Sequence, residues 1–347
     1  MALQTHISED STPSACEDNA STVWVAKAQA ILKSPWLALV LTAGLIWALL
    51  QVAPLSEWKD VLARANPLWL AVAVGLSLPH AVLKLLRMEV LLPVLKPHRG
   101  AHLNTVFGTA VTSQLPVGTV GGDVYRIVCF TDMGVEAEDA TAATLLVRLS
   151  GFAVTVIIAG VAAAIYLGEA WPVLGVAVGT LILFILARSQ RPPKVLRRLA
   201  DMNPDGRGIV HKVKCTVAGV LKTLFDHAGD LTRRRLAALI GITLAMYAAR
   251  AAILWTCLLA IGMEAGPFAA LAALAVGNLA SSVPSPTGSV GLREGGMVGV
   301  LAGLGHAAAP AAIAAILFRA AVIAGSGLGY LLTLPLRGRQ AHTATAQ

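Results

Sequence analysis

Six stretches of this chain stay apolar for about twenty residues, the length a helix needs to cross the hydrocarbon core of a bilayer. They run from Pro35 to Ala53, Pro67 to Leu86, Ala140 to Leu167, Trp171 to Ala187, Leu236 to Ile261 and Ala308 to Leu334. A soluble core cannot absorb that much apolar surface: 56% of the residues are hydrophobic and only 13% charged, against about a quarter charged in soluble domains. The reading is an all-α polytopic membrane protein. The first stretch follows a long polar preface, residues 1–33, and lacks a small-residue cleavage site after it, so it reads as an uncleaved span rather than a signal peptide. Cys16, Cys129, Cys215 and Cys257 are scattered, with no CxxC pair, which excludes a zinc ribbon and a redox motif and leaves free thiols.

Charge gives the orientation. Residues 188–235 hold 12 Lys and Arg against four Asp, which is the whole +8 excess of the chain. A short loop of that kind is cytoplasmic by the positive-inside rule. It lacks the aromatic interleaving of a nucleic-acid groove, so its expected contact is with anionic headgroups and no nucleic-acid partner is expected. The basic segment around Arg87, Lys96 and Arg99 belongs on the same side.

Two further apolar stretches are broken. Residues 103–133 are interrupted by Pro116 and by Gly121 and Gly122; residues 267–305 are interrupted by Pro284, Pro286, Gly288 and Gly291. Proline and clustered glycine break helices, and each half is too short to span comfortably. With residues 188–235 inside, 103–133 must start and end inside, and 267–305 must start and end outside. The expectation is six full spans plus two re-entrant hairpins, with both termini cytoplasmic. The chain then divides into a tail (1–33), a first membrane repeat (34–187), the basic loop (188–235), a second membrane repeat (236–335) and a second tail (336–347).

The two membrane segments share an order: a helix with Arg, a Pro/Gly break, and a helix with Arg. Arg87 corresponds to Arg250, Pro116 to Pro284, and Arg148 to Arg319. The topology turns the second copy upside down. Inverted repeats with broken helices are a transporter architecture with a midplane site, and a half-helix starting after each break aims its positive end at that site.

Seven of the charged residues inside the apolar segments stand out as candidates: Asp123, Arg126, Arg148, Arg250, Arg293, Glu294 and Arg319. A charge at such depth costs at least ~2.5–3.5 kcal/mol unless it is paired or hydrated. Two readings follow. In the first the charges are structural: Asp123 as an N-cap paired with Arg148, and Glu294 completing part of a capping box on Gly291 while pairing with Arg319. In the second the arginines, five against two acids, hold an anionic headgroup. His80 after Pro79 reads as a kink with a hydrogen-bonded imidazole. His98 and His102 are four apart, but Pro97 and Gly100 spoil a helical metal pair, and neither a metal nor a cofactor is expected. Gly291, Gly295, Gly299 and Gly303 recur every four residues and predict a helix-packing face. P-loop, GxSxG and HExxH signatures are absent.

The run Leu115-Pro116-x4-Gly121-Gly122-Asp123-x2-Arg126, the run Arg148-Leu149-Ser150-Gly151, and Pro284-x-Pro286 followed by Gly288-Ser289-Val290-Gly291-Leu292-Arg293-Glu294-Gly295 resemble the lysylphosphatidylglycerol synthase transmembrane-region family over about residues 35–335. Ser289 stands where a second glycine is common, and no aminoacyl-transferase domain follows the last span. The resemblance implies a bacterial cytoplasmic-membrane location and a lipid-translocating role without lysyl transfer. The expected partner is a membrane lipid, anionic or zwitterionic, bearing a phosphate, and an oligomer is compatible with the apolar exterior. The alternatives are an integral-membrane transferase with Asp123 or Glu294 as base, and a scaffold for lipid-modifying enzymes.

Overall fold

A computed structural model describes residues 55–114, 118–167, 172–174, 176, 177, 180, 181, 232–282 and 291–344 of the chain. The described residues are helical throughout, without a strand. Helix α1 covers Leu55–Arg64 and α2 covers Pro67–Leu91; a 3-10 segment, Pro93–His98, leads into α3, Arg99–Thr112. Then come α4 (Gly118–Thr131), α5 (Ala137–Leu167), α6 (Arg233–Ala260), α7 (Pro267–Ala280), α8 (Leu292–Gly303) and α9 (Ala308–Ala344). Four of these, α2, α5, α6 and α9, are long and apolar enough to cross a membrane. They match four of the six anticipated stretches. The stretch from Pro35 to Ala53 lies outside the described residues, as do most of Trp171–Ala187 and nearly all of the basic loop.

Local sequence sets the ends. Asn66 caps α2, its Oδ1 accepting from the Leu68 backbone N–H at 2.9 Å, with Pro67 at the first helical position, where a missing N–H costs nothing. Thr232 caps α6 by accepting from Arg235 N–H. Pro79 does not end α2, which runs five residues past the anticipated Leu86. His80 is buried against the Met246 backbone of α6 with its Nδ1 unpartnered. At the other end of the chain, α9 continues beyond Leu334 and Pro335 to Ala344.

Both broken stretches are pairs of short helices that pack on each other, α3 with α4 and α7 with α8. The first break differs from expectation. Helix α4 already starts at Gly118, so Gly121, Gly122 and Asp123 lie inside it, and Asp123 is in the second turn rather than at a cap. Gly121 and Gly122 are therefore not the breaking residues. Gly122 is where α4 crosses α3: a Cβ there would meet Ser113 Cβ at 3.0 Å and the Thr109 carbonyl oxygen at 3.1 Å. The turn begins at Ser113 and Gln114, and Pro116 lies outside the described residues. In the second break, Gly291 holds φ at +89° and caps α8, a conformation that favours glycine. Pro284, Pro286 and Gly288 lie outside the described residues.

The every-fourth-residue glycine face is also corrected. A Cβ on Gly295, Gly299 or Gly303 would meet nothing. The close approach uses Gly277 and Gly296 instead: a Cβ on Gly296 would sit 2.9 Å from Gly277 Cα, and one on Gly277 would sit 2.7 Å from the Arg293 carbonyl oxygen. Small residues let helix backbones approach closely, and packing of this kind drives helix association where lipid is as apolar as the side chains.

The packing map has a symmetry. Exchanging α2 with α6, α3 with α7, α4 with α8 and α5 with α9 turns each contact among these eight helices into another that is present: α3 packs on α9 as α7 does on α5, α4 on α5 as α8 on α9, and α2 on α9 as α6 on α5. Helices α2 and α6 pack on each other at the centre of this exchange. The largest apolar cluster, with Leu254, Leu258, Leu274, Met297, Leu301 and Phe318, belongs mainly to the second half. Polar ties link the halves. Asn104 Nδ2 on α3 donates to the Tyr330 carbonyl (3.2 Å) and Thr333 Oγ1 (3.1 Å) on α9. Tyr247 on α6 donates to the Gly151 carbonyl on α5 at 3.2 Å and lies against the Thr155 hydroxyl.

Candidate functional site

The charges inside the helical bundle divide into those with an opposite partner and those without. Asp123 on α4 pairs with Arg148 on α5, and Arg126 NH1 stands 3.8 Å from its other oxygen. Glu294 on α8 accepts from Arg319 of α9, at 2.9 Å from Nε and 2.8 Å from NH2, on one oxygen. Its second oxygen accepts the Gly291 backbone N–H at 2.7 Å. The carboxylate and its arginine are 25 residues apart in both halves, and both acids and both arginines are offset by 171. The structural pairing anticipated from the sequence is present in both places, and Glu294 fills the reciprocal half of a capping box on Gly291.

What remains is basic. Arg293 is buried with its Nε unpartnered. Arg250 lies over the Phe318 ring, 5.7 Å from its centroid, a cation–π contact that leaves the charge without a counterion. Neither forms an ion pair with a described carboxylate. Arg87, read in the sequence as a mark of sidedness and as the repeat counterpart of Arg250, is buried on α2; it donates to Ser150 Oγ at 2.7 Å and to the Val147 carbonyl, flanking Arg148 on α5. Its Nε is unpartnered.

Lys84 was not among the sequence candidates. It is half-buried on α2, one turn before Arg87, and has no hydrogen bond or ion pair among the described residues. It lies within electrostatic reach of Arg250, Arg126, Arg293 and Arg87. Arg293 in turn feels Arg250, Glu294 and Arg319, and Arg126 feels Asp123 and then Arg148. Seven cations thus surround two carboxylates, and both carboxylates already have partners. A weak signal for Lys84 was in the sequence: it stands three residues from Arg87 in an apolar run, so the two share a helix face.

Other expectations resolve as packing. His102 is buried edge-on to Phe130, with centroids 5.4 Å apart. Among the described residues, His, Cys, Asp and Glu do not gather in threes. Cys129 and Cys257 are buried free thiols, whereas Cys16 and Cys215 lie outside the described residues. At the basic end of α2, Glu89 is buried and accepts two hydrogen bonds from Arg99, Nε to Oε1 and NH2 to Oε2, both 2.9 Å. Those bonds hold the Arg99 guanidinium above its ordinary range.

The sequence that builds this scaffold matches a known family. The description "Lysylphosphatidylglycerol synthase TM region" matches residues 36–329. The chain belongs to this family. Membership carries a membrane-embedded, lipid-related role, in agreement with the four apolar helices. No curated protein matches the chain. In this family member the matched region takes in both broken helix pairs and all the charges described above.

Proposed function

We propose that this family member moves a phosphate-bearing lipid headgroup between leaflets, using the cations left without a carboxylate between its two halves. The observation that carries the reading is the unmatched set Lys84, Arg250 and Arg293. Unpaired intramembrane charge is expensive, and such a set persists where an anion visits it. Arg126 and Arg87 border the set, and the positive end of α8 lies beside Arg293. The acyl chains stay in the bilayer while the headgroup crosses.

In this reading α3–α4 and α7–α8 are the two re-entrant hairpins of a six-span inverted repeat, the basic loop and both termini face the cytoplasm, and the membrane is the bacterial inner membrane. The exchange symmetry of the packing and the repeated 25-residue bridge support an internal repeat. Two halves of equal construction around a shared charge cluster suit alternating access by rocking. The Asp123–Arg148 and Glu294–Arg319 bridges then orient the unpaired arginines. The reading involves no covalent chemistry: both carboxylates are held by arginine, which disfavours either one as a general base. No cofactor or metal takes part.

The test is flipping in proteoliposomes with headgroup-labelled phosphatidylglycerol, its lysyl derivative and a polyprenyl phosphate analogue. Outer-leaflet label should be exchanged faster than in empty vesicles, and Arg293→Ala and Lys84→Ala should each abolish the exchange while preserving folding. Unaltered exchange in both variants, or no exchange of any of the three lipids, overturns the proposal.

A further inference from the structure

The basic end of α2 and the start of α6 enclose a groove of about 380 Å³ at the bundle surface. Its two walls differ in chemistry. The apolar wall is Leu86 and Val90 from α2 with Ala238 and Ile242 from α6. The polar rim is Lys96, Arg99, Arg234 and Arg235, with Glu89. Glu89 is fully engaged by Arg99. That leaves Lys96, Arg234 and Arg235, all exposed and none with an ion pair to a described carboxylate.

We propose that this groove is a binding site for one anionic phospholipid of the adjoining leaflet, held by its phosphate on Lys96, Arg234 and Arg235, with the start of an acyl chain along Leu86, Val90, Ala238 and Ile242. The order of the walls decides the occupant. The apolar wall continues into the membrane-crossing parts of α2 and α6, whereas the cations stand at the helix ends, where headgroups lie. A soluble phosphate fits the rim but leaves the apolar wall uncovered. The volume lies within the range of small-molecule sites. Arg99 does not serve the lipid. By neutralising Glu89 it removes the acid that, among the described lining residues, would repel a phosphate. The site is separate from the intramembrane cluster and requires only that α2 and α6 cross the bilayer.

The experiment uses the full chain in vesicles of phosphatidylcholine doped with spin-labelled phosphatidylglycerol, reading the immobilised fraction. Wild type should immobilise phosphatidylglycerol in preference to an equally labelled phosphatidylcholine, and excess soluble glycerol phosphate should not displace it. Arg234→Gln/Arg235→Gln should weaken retention roughly thirtyfold, the effect of two cations beside an anionic headgroup. Ala238→Trp, which fills the groove and leaves every charge in place, should weaken retention by a similar factor. Equal immobilisation of the two lipids by wild type overturns the proposal, as does retention by both variants. Loss in the arginine variant alone also overturns it, because charge would then act without the groove. A flipping defect is not expected in either variant, so the outcome is independent of the headgroup-transfer reading.

Discussion

The two halves carry the same bridge in different surroundings. In the first half Asp123 and Arg148 have side chains 21% and 41% exposed. In the second half Glu294 and Arg319 are 4% and 16% exposed, and Glu294 also holds the N-terminus of α8 through Gly291. The second bridge is thus both a buried ion pair and a helix cap, and it joins the largest apolar cluster. The first spans α4 and α5 without capping either helix. Enclosure decides the consequence: removing one partner of a pair packed within protein strands a charge. The second bridge is therefore expected to contribute more to stability than the first.

The largest expected effect is at the second bridge. Glu294→Gln keeps the volume but removes the charge facing Arg319 and weakens the cap, and should destabilise by about 3 kcal/mol. Thermal unfolding of purified protein in detergent would read this; a change no greater than that of Asp123→Asn would erase the distinction between the halves. Next comes the Gly277–Gly296 crossing. Gly277→Val places carbon atoms where the Arg293 backbone now lies, and should cost about 2 kcal/mol by overpacking while displacing Arg293. Gly295→Ala, at an open position, should be neutral in the same assay. Asp123→Asn should cost less, about 1.5 kcal/mol for a lost charge-assisted hydrogen bond, because the Asp123–Arg148 pair is less enclosed by protein and caps neither helix. The smallest destabilisation is outside both bridges: Asn66→Ala should cost about 1 kcal/mol through loss of the α2 cap.

Much of the scaffold was legible because the bilayer allows few solutions. A long apolar run has to be helical to satisfy its own backbone, so α2, α5, α6 and α9 could be read from hydropathy, with ends displaced by up to five residues except at the end of α9, which runs ten residues further to Ala344. The pairing of Glu294 with Arg319 and with Gly291 followed from capping geometry and the shortage of acids. Elsewhere local rules misled. Gly121 and Gly122 were read as breakers from intrinsic propensity, yet they are helical because α4 must pass close to α3, and tertiary contact overrides a propensity worth about 1 kcal/mol per glycine. The four-residue glycine spacing from Gly291 to Gly303 looked like a packing face. The real one needed a partner, Gly277, that lies far away in sequence. Lys84 escaped notice because one lysine near a helix end usually snorkels to the surface.

The sequence by itself determined that this chain lives in a membrane, that it is helical, and that it buries more positive than negative charge. Those are properties of composition and order, which no packing can change. The tertiary structure alone decided which charges cancel. Arg148 and Arg319 are used up by carboxylates 25 residues away, Arg87 is held by Ser150 and Val147, and Lys84, Arg250 and Arg293 are left over. Charge pairing is a matter of a few ångströms between different helices, and only packing sets those distances.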